Sequence, residues 1–522
     1  MKKTMKQHSF ASRLKSLALA FGVILAFASC ANEEIAQNQN GKDYDANLTT
    51  FSIGDLTTRT SMESDGKFFW EAGDKIYVKD DNGTWNASSN SPTGKTAYFK
   101  FKVPGTYTAH MSYEVYYPGK NGNQNQVTIA ANQSQTEPNS TAHFGASGDC
   151  GMATATRIAS ERNFNFTLDH KAAYLLFLPR TSNTILHNCY LTKVEVNSDN
   201  DITSTYTLNP TTGELTGTGA GKQIIVSTGG SGAYANGFPL TNNATSAATN
   251  GAYVVIKPGT HVLKIRYWVK DVATGIEGTI TKTLSSATYD QNKYYNITAN
   301  LDVKNYLGDK YYMWDAQEQY WKGHEWDLGG SQPTISHGLG ATSNDYPKSF
   351  TDPRSNSSAF IYGGVENKAT HTPCKDLPNV NEMTWYVVKG EPRWDADELW
   401  TTMGHLYKGG MWFKKKANIS GFNPNTAVDG TDWRTSGKVV VNWSVSQPLP
   451  DAADAGNYFY LPALGWYNFG SLGYVGEVGF YWSSNADPTF AGNAYCLEFR
   501  SGFVKVHRGW SRQLGFRAEA LQ

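Results

Sequence analysis

The chain has 522 residues, with 46 basic and 46 acidic side chains and a hydrophobic fraction of 39%. So even a balance leaves no electrostatic footprint for nucleic acid or for an anionic membrane surface, and neither is expected as a partner. Five cysteines scattered over this length exclude a zinc framework and a disulfide-stapled miniprotein, and the length itself suggests about three domains.

The first residues carry Lys2, Lys3, Lys6, Arg13 and Lys15 without an acid, and an apolar run over 17–27 ends in Ala28-Ser29-Cys30. A basic start, a short apolar run and small residues before a cut make residues 1–29 a secretory signal, well short of the roughly 20 residues of a membrane span. Phe27-Ala28-Ser29-Cys30 resembles the lipobox of bacterial lipoproteins, and Asn32-Glu33-Glu34 resembles the surface-export signal that follows it in Bacteroidetes lipoproteins. The resemblance implies acylation of Cys30 and anchoring at the outer membrane through lipid alone. The alternative is simple cleavage near Ser29. Losing five of the 46 basic residues with the signal leaves 41 against 46 acidic. Residues 30–45 are the lipidated N-terminus and a polar Asn/Gln-rich tether, too poor in apolar groups to order itself.

From residue 46 short alternating runs follow one another, at 48–53, 75–78, 96–103, 107–117 and 126–130. Turn signals such as Asp81-Asn82-Gly83 separate them, so they read as strands. A second series starts with Phe164-Asn165-Phe166-Thr167-Leu168 and continues at 173–178, 191–196, 223–226, 252–256, 261–269 and 294–301. With almost no helical periodicity in either series, two tandem β-sandwiches are expected, over 46–162 and 163–303. Twelve of the 15 tryptophans lie beyond residue 303, which marks a different domain at 304–522. Its expected helix runs over 395–407, where Leu399, Trp400, Met403 and Leu406 fall at helical spacing and Asp395 and Asp397 favour the N-terminal dipole. The rest reads as ordered loops and short strands, so the fold class is mainly β with an α+β C-terminal domain.

Two resemblances attach to this map. Thr49-Thr50-Phe51-Ser52-Ile53, then Thr58-Arg59-Thr60, then Trp70-Glu71-Ala72-Gly73-Asp74-Lys75-Ile76 resemble the opening of the fimbrillin family, the type V pilins and fimbrillin-like lipoproteins of Bacteroidetes. Leu168-Asp169-His170-Lys171-Ala172-Ala173 and Tyr294-Tyr295-Asn296-Ile297 are similar to the same family in the second series. Further on, Tyr460-Leu461-Pro462-Ala463-Leu464-Gly465-Trp466, Gly479-Phe480-Tyr481-Trp482-Ser483-Ser484, Ala494-Tyr495 and Gly515-Phe516-Arg517 resemble the Fibrobacter succinogenes major paralogous domain, a C-type-lectin-like module. The first resemblance implies that an arginine-specific surface protease cuts between Arg59 and Thr60. The cut removes the first strand with Phe51 and Ile53, and the open groove takes a strand from another fimbrial subunit by donor-strand exchange. Arg59 as a solvated turn residue is the alternative. Only Ala518-Glu519-Ala520-Leu521-Gln522 follow the closing motif, too short and too close to a folded strand for a donor, so a place at the adhesive tip is expected.

Gly217-Thr218-Gly219-Ala220-Gly221-Lys222 is not a phosphate loop, because Thr216 replaces the first glycine and a strand follows it. The histidines form no paired-ligand spacing, so no metal, cofactor or catalytic residue is expected. The Glu-Pro-Asn, Gln-Pro-Asp and Trp-Asn-Asp signatures of calcium-dependent lectins are missing as well, with Gln447-Pro448-Leu449 a partial echo. Most tryptophans fill core, but Trp412, Trp433, Trp466 and Trp510 stand near glycine or charge and are candidates for a ligand platform. An oxidising destination permits a Cys374–Cys496 disulfide, with free buried thiols the alternative. The expectation is a fimbrial surface lipoprotein whose last domain meets an unidentified glycan or protein; a glycan-binding surface lipoprotein that never polymerises is the alternative, and a polysaccharide-processing enzyme ranks behind both.

Overall fold

The computed structural model describes residues 48–53, 61–62, 68–158, 162–209, 212–217, 219–336, 341–356, 365–445, 448–451 and 453–522. Cys30, Arg59 and Thr60 lie outside them, as does the side chain of Ile53. The described residues are mainly β, and among them no helix is long and apolar enough to cross a membrane.

The first sheet runs Trp85–Ala87, Tyr77–Lys79, Ser112–Tyr117, Gly151–Arg157, Asn163–Phe166, Leu48–Ile53, Lys100–Pro104. Alternation works here as expected: Phe101 and Val103 point inward from Lys100–Pro104 while their neighbours face water. They pack around Trp70, whose ring meets Phe101 and Tyr117 edge-on at 4.9 and 5.5 Å. The Trp70-Glu71-Ala72-Gly73-Asp74 turn is built for this contact. Gly73 takes φ 84°, and the buried Asp74 carboxylate accepts from the Glu71 amide at 2.7 Å and from Tyr117 Oη at 2.9 Å.

A two-layer sandwich follows. One layer is Ala252–Ile256, Ala173–Arg180, Tyr294–Asn300; the other is Glu277–Thr283, Leu263–Asp271, Cys189–Ser198, Gln223–Thr228, Asn132–Gln135. Leu175 and Phe177 face the second layer, whereas Tyr174, Leu176 and Leu178 face the short helix Phe144–Ser147 through Phe144. Burial on both faces explains the unbroken apolar run of that strand. Strand partners differ from chain order: Asn163–Phe166 belongs to the first sheet, while Gln126–Ile129 and Asn132–Gln135 pair with Ser204–Leu208 and Gln223–Thr228. The two units are thus interlocked.

Beyond residue 303 a four-stranded sheet, Lys304–Tyr306, Arg393–Thr402, His405–Lys414, Tyr458–Pro462, stands beside a six-stranded one, Tyr311–Tyr312, Phe516–Arg517, Gly479–Ala486, Asn493–Arg500, Phe503–Ser511, Val440–Ser444. Residues 395–407 are not a helix. They form most of the hairpin Arg393–Thr402 and His405–Lys414, turning at Met403 and Gly404 with φ 46° and 82°. Leu399, Trp400, Thr401 and Thr402 are all buried, because this strand is covered on both faces; a continuous buried run mimics helical spacing. Asp395 caps no helix either, and instead accepts from the Asp397 and Glu398 amides at an irregularity of the strand. The longest helix among the described residues of this domain is Val380–Lys389, opened by a capping box between Asn379 and Glu382 and packed on the six-stranded sheet.

The expected disulfide does not form. Cys374 and Cys496 share one core cluster, yet both are free, as are Cys150 and Cys189. Burial pushes the Cys374 thiol up to about 12 and Cys496 well above its ordinary value, so both act as small apolar groups.

Candidate functional site

The first strand is held from both sides. Leu48–Ile53 runs parallel to Asn163–Phe166 and antiparallel to Lys100–Pro104, which places Phe51 opposite both Phe164 and Phe101. Phe51 is fully buried: its ring stacks on Phe164 at 5.0 Å and meets Tyr107 edge-on at 5.2 Å. On the other face Ser52 Oγ donates to Asn165 at 2.9 Å. A strand from the start of the described chain therefore fills an interior position of the sheet.

The four candidate tryptophans are not one platform. Trp433 is core, 3% exposed, with its indole N–H donating to Asp429 at 3.1 Å. Trp412 is half-buried in the four-stranded sheet, packed on Tyr460 and bonded to Asp395 at 3.2 Å. Trp466 and Trp510 do come together, edge-on at 4.8 Å, but inside an aromatic stack with Phe480 and Phe516 that continues to the buried Trp482. Their principal role is packing. Trp443, which is not among the four candidates, is 46% exposed on the edge strand Val440–Ser444, where it borders a cavity of about 450 Å³ with Phe503 and Lys505. A tryptophan inside an alternating strand reads as core, and only an edge position frees it.

The second sandwich and the C-terminal domain meet at a built joint. The Asp271 carboxylate accepts from the Leu406 amide at 3.0 Å and from His405 Nδ1 at 3.2 Å, while Thr274 Oγ1 donates to the Leu406 carbonyl at 3.1 Å. Asn183 Nδ2 adds a bond to Thr401 at 2.9 Å, and Leu399 and Leu406 enter the sandwich's own core. Burial opposes the charge of Asp271, but the bonds from His405 and from the Leu406 and Ala273 amides outweigh it and hold the carboxyl below its ordinary range. The chain's last residues are docked too: the Gln522 carbonyl accepts from Tyr386 Oη at 3.0 Å and from the Lys416 amide at 3.1 Å, and Leu521 is buried. Among the described residues no group of three or more His, Cys, Asp or Glu is placed to hold a metal ion.

No protein-family model and no curated protein matches the chain. Solved structures align at low similarity. A candidate cell adhesion protein of Bacteroides uniformis is 17% identical, covering 49% of this chain and 93% of that one at a TM-score of 0.28. The fimbrial anchor protein Mfa2 of Porphyromonas gingivalis is 12% identical over 45% of this chain and 82% of its own, at 0.22. A fimbrial protein of Bacteroides ovatus is 11% identical over 90% of this chain and 99% of its own, at 0.28.

Proposed function

We propose that this chain is a cell-surface fimbrial subunit that loses its first strand and takes a strand from a neighbouring subunit in its place, with residues 304–522 as the outward binding head. The observation that carries this is the interior position of Leu48–Ile53. An interior strand cannot simply leave, since its loss would expose unpaired backbone on both Asn163–Phe166 and Lys100–Pro104 and open the Phe51 site. Another strand of alternating pattern satisfies both needs, which is strand addition. Arg59, a few residues further on, offers the site for an arginine-specific protease, and Cys30 the lipid attachment to the outer membrane before processing. Phe516–Arg517 and the residues up to Gln522 are bonded into the C-terminal domain, so this segment itself is not a free donor. We assign the chain no catalysis.

The test is N-terminal sequencing of the protein recovered from surface fibres, combined with immunogold labelling of the C-terminal domain. The expected sequence starts at Thr60 and the expected label marks fibre ends. Label spaced along the shaft overturns the distal place, and fibres without the protein favour a glycan-binding lipoprotein that does not polymerise.

A further inference from the structure

One end of the four-stranded sheet gathers polar groups that no site above uses. Arg393 opens its strand, Lys414 closes the next, and Tyr458 opens the third, directly opposite Lys414. Glu391 ties them together: its carboxylate accepts from Tyr458 Oη at 2.8 Å, from Arg393 Nη2 at 3.0 Å and from Lys414 Nζ. The Lys414 bond first, then those of Tyr458 and Arg393, prevail over burial and hold the carboxyl down at about 2. Asn418, Asp454 and Asn457 close the other side of a cavity of about 450 Å³, within the roughly 300 to 1,000 Å³ of small-molecule pockets.

The backbone at Glu391 is spent on placing that side chain. Its φ is 45°, in the left-handed region that non-glycine residues seldom adopt, and it precedes Pro392, which restricts it further. The neighbouring Gly390 sits at φ −79°, where any residue fits. A carboxylate thus occupies the position a glycine would favour, and such strain gathers at binding sites.

Charge decides the class of ligand. Arg393 and Lys414 are balanced by Glu391 and Asp454, so an anion would meet two carboxylates and a cation two basic groups. Neutral hydroxyls donate and accept at once and suit all four, as well as the carboxamides of Asn418 and Asn457. The Tyr458 ring is 5% exposed beneath the Arg393 guanidinium, 5.6 Å away, so hydrogen bonds rather than stacking carry the contact. We propose that this cavity binds the ring of a neutral sugar through its hydroxyls. This holds whether or not the chain polymerises.

The test is saturation-transfer NMR on the full mature chain with methyl glycosides of glucose, galactose, mannose and N-acetylglucosamine. At least one should saturate in the millimolar range. Asp454→Ala and Arg393→Lys should each raise its dissociation constant about tenfold, the loss expected for a hydrogen bond to a charged group, with an unchanged thermal melt. No saturation by any glycoside overturns the proposal, as does binding that both variants leave intact. Stronger binding of sulfate than of any glycoside, or loss of binding with EDTA, also overturns it, in favour of an anion or cation site.

Discussion

Replacing Phe51 with alanine empties the centre of the first-strand slot. The ring is fully buried, stacked on Phe164 and edge-on to Tyr107, and a buried Phe→Ala change costs about 3 to 5 kcal/mol. Against a domain stability of about 5 to 15 kcal/mol, that loss opens the sheet without unfolding the whole chain. At about 1.4 kcal/mol per tenfold, it raises the open population roughly two to four powers of ten. Hydrogen exchange read by mass spectrometry on peptides covering Leu48–Ile53, Lys100–Pro104 and Asn163–Phe166 reports that population directly. These peptides should exchange faster by that factor in F51A, while peptides of the C-terminal domain keep their wild-type rates. Phe490→Ala, at a ring 60% exposed, serves as the neutral control. Unchanged exchange in the three strands of F51A would refute the view that Phe51 holds the slot shut.

The joint between sandwich and head should loosen in acid. Asp271 is held below its ordinary value in the fold, so its contribution is complete above the unfolded carboxylate value of about 4 and fades as pH falls through the lower folded value. Exchange of the Leu406 amide should rise in that window, and Asp271→Asn should show the rise already at neutral pH; an identical pH profile in the variant would contradict it. Cys374 and Cys496 should resist a thiol reagent until the protein is unfolded, and a native mass showing a bonded pair would contradict free thiols. Gly404→Ala should destabilise by about 1 to 2 kcal/mol in a thermal melt, because φ is 82° and a Cβ would stand 3.1 Å from the Trp326 ring. Gly456→Ala, with open space around it, should be neutral.

Alternation made most strands legible, because period-two patterning marks any sheet with one wet face. Partners were not legible: nothing in Asn132–Gln135 announces a parallel partner in Gln223–Thr228 nearly a hundred positions away. Where strands are buried on both faces the signal itself failed, and Leu399-Trp400-Thr401-Thr402 passed for a helix although Met403-Gly404 was available as a turn. The helix Val380–Lys389 did carry a readable start, Asn379 three residues before Glu382, but its β-branched content weakened the pattern. The binding surface was least legible. Trp433 lies in core and Trp443 at an exposed edge, a difference set by sheet order rather than by neighbours in the chain. Glu391 could be found only once its φ was known.

Locking the first strand in place tests strand replacement most directly. Thr50 and Lys102 are direct antiparallel partners on the face away from Phe51. Such Cα pairs stand about 4.5 to 5.5 Å apart, within the reach of a disulfide. In a Thr50→Cys, Lys102→Cys double variant expressed in place of the native protein, the oxidised form should reach the cell surface yet stay out of fibres. Reduction should release the strand and restore incorporation. Fibres that contain the oxidised protein with its lock intact would contradict the account.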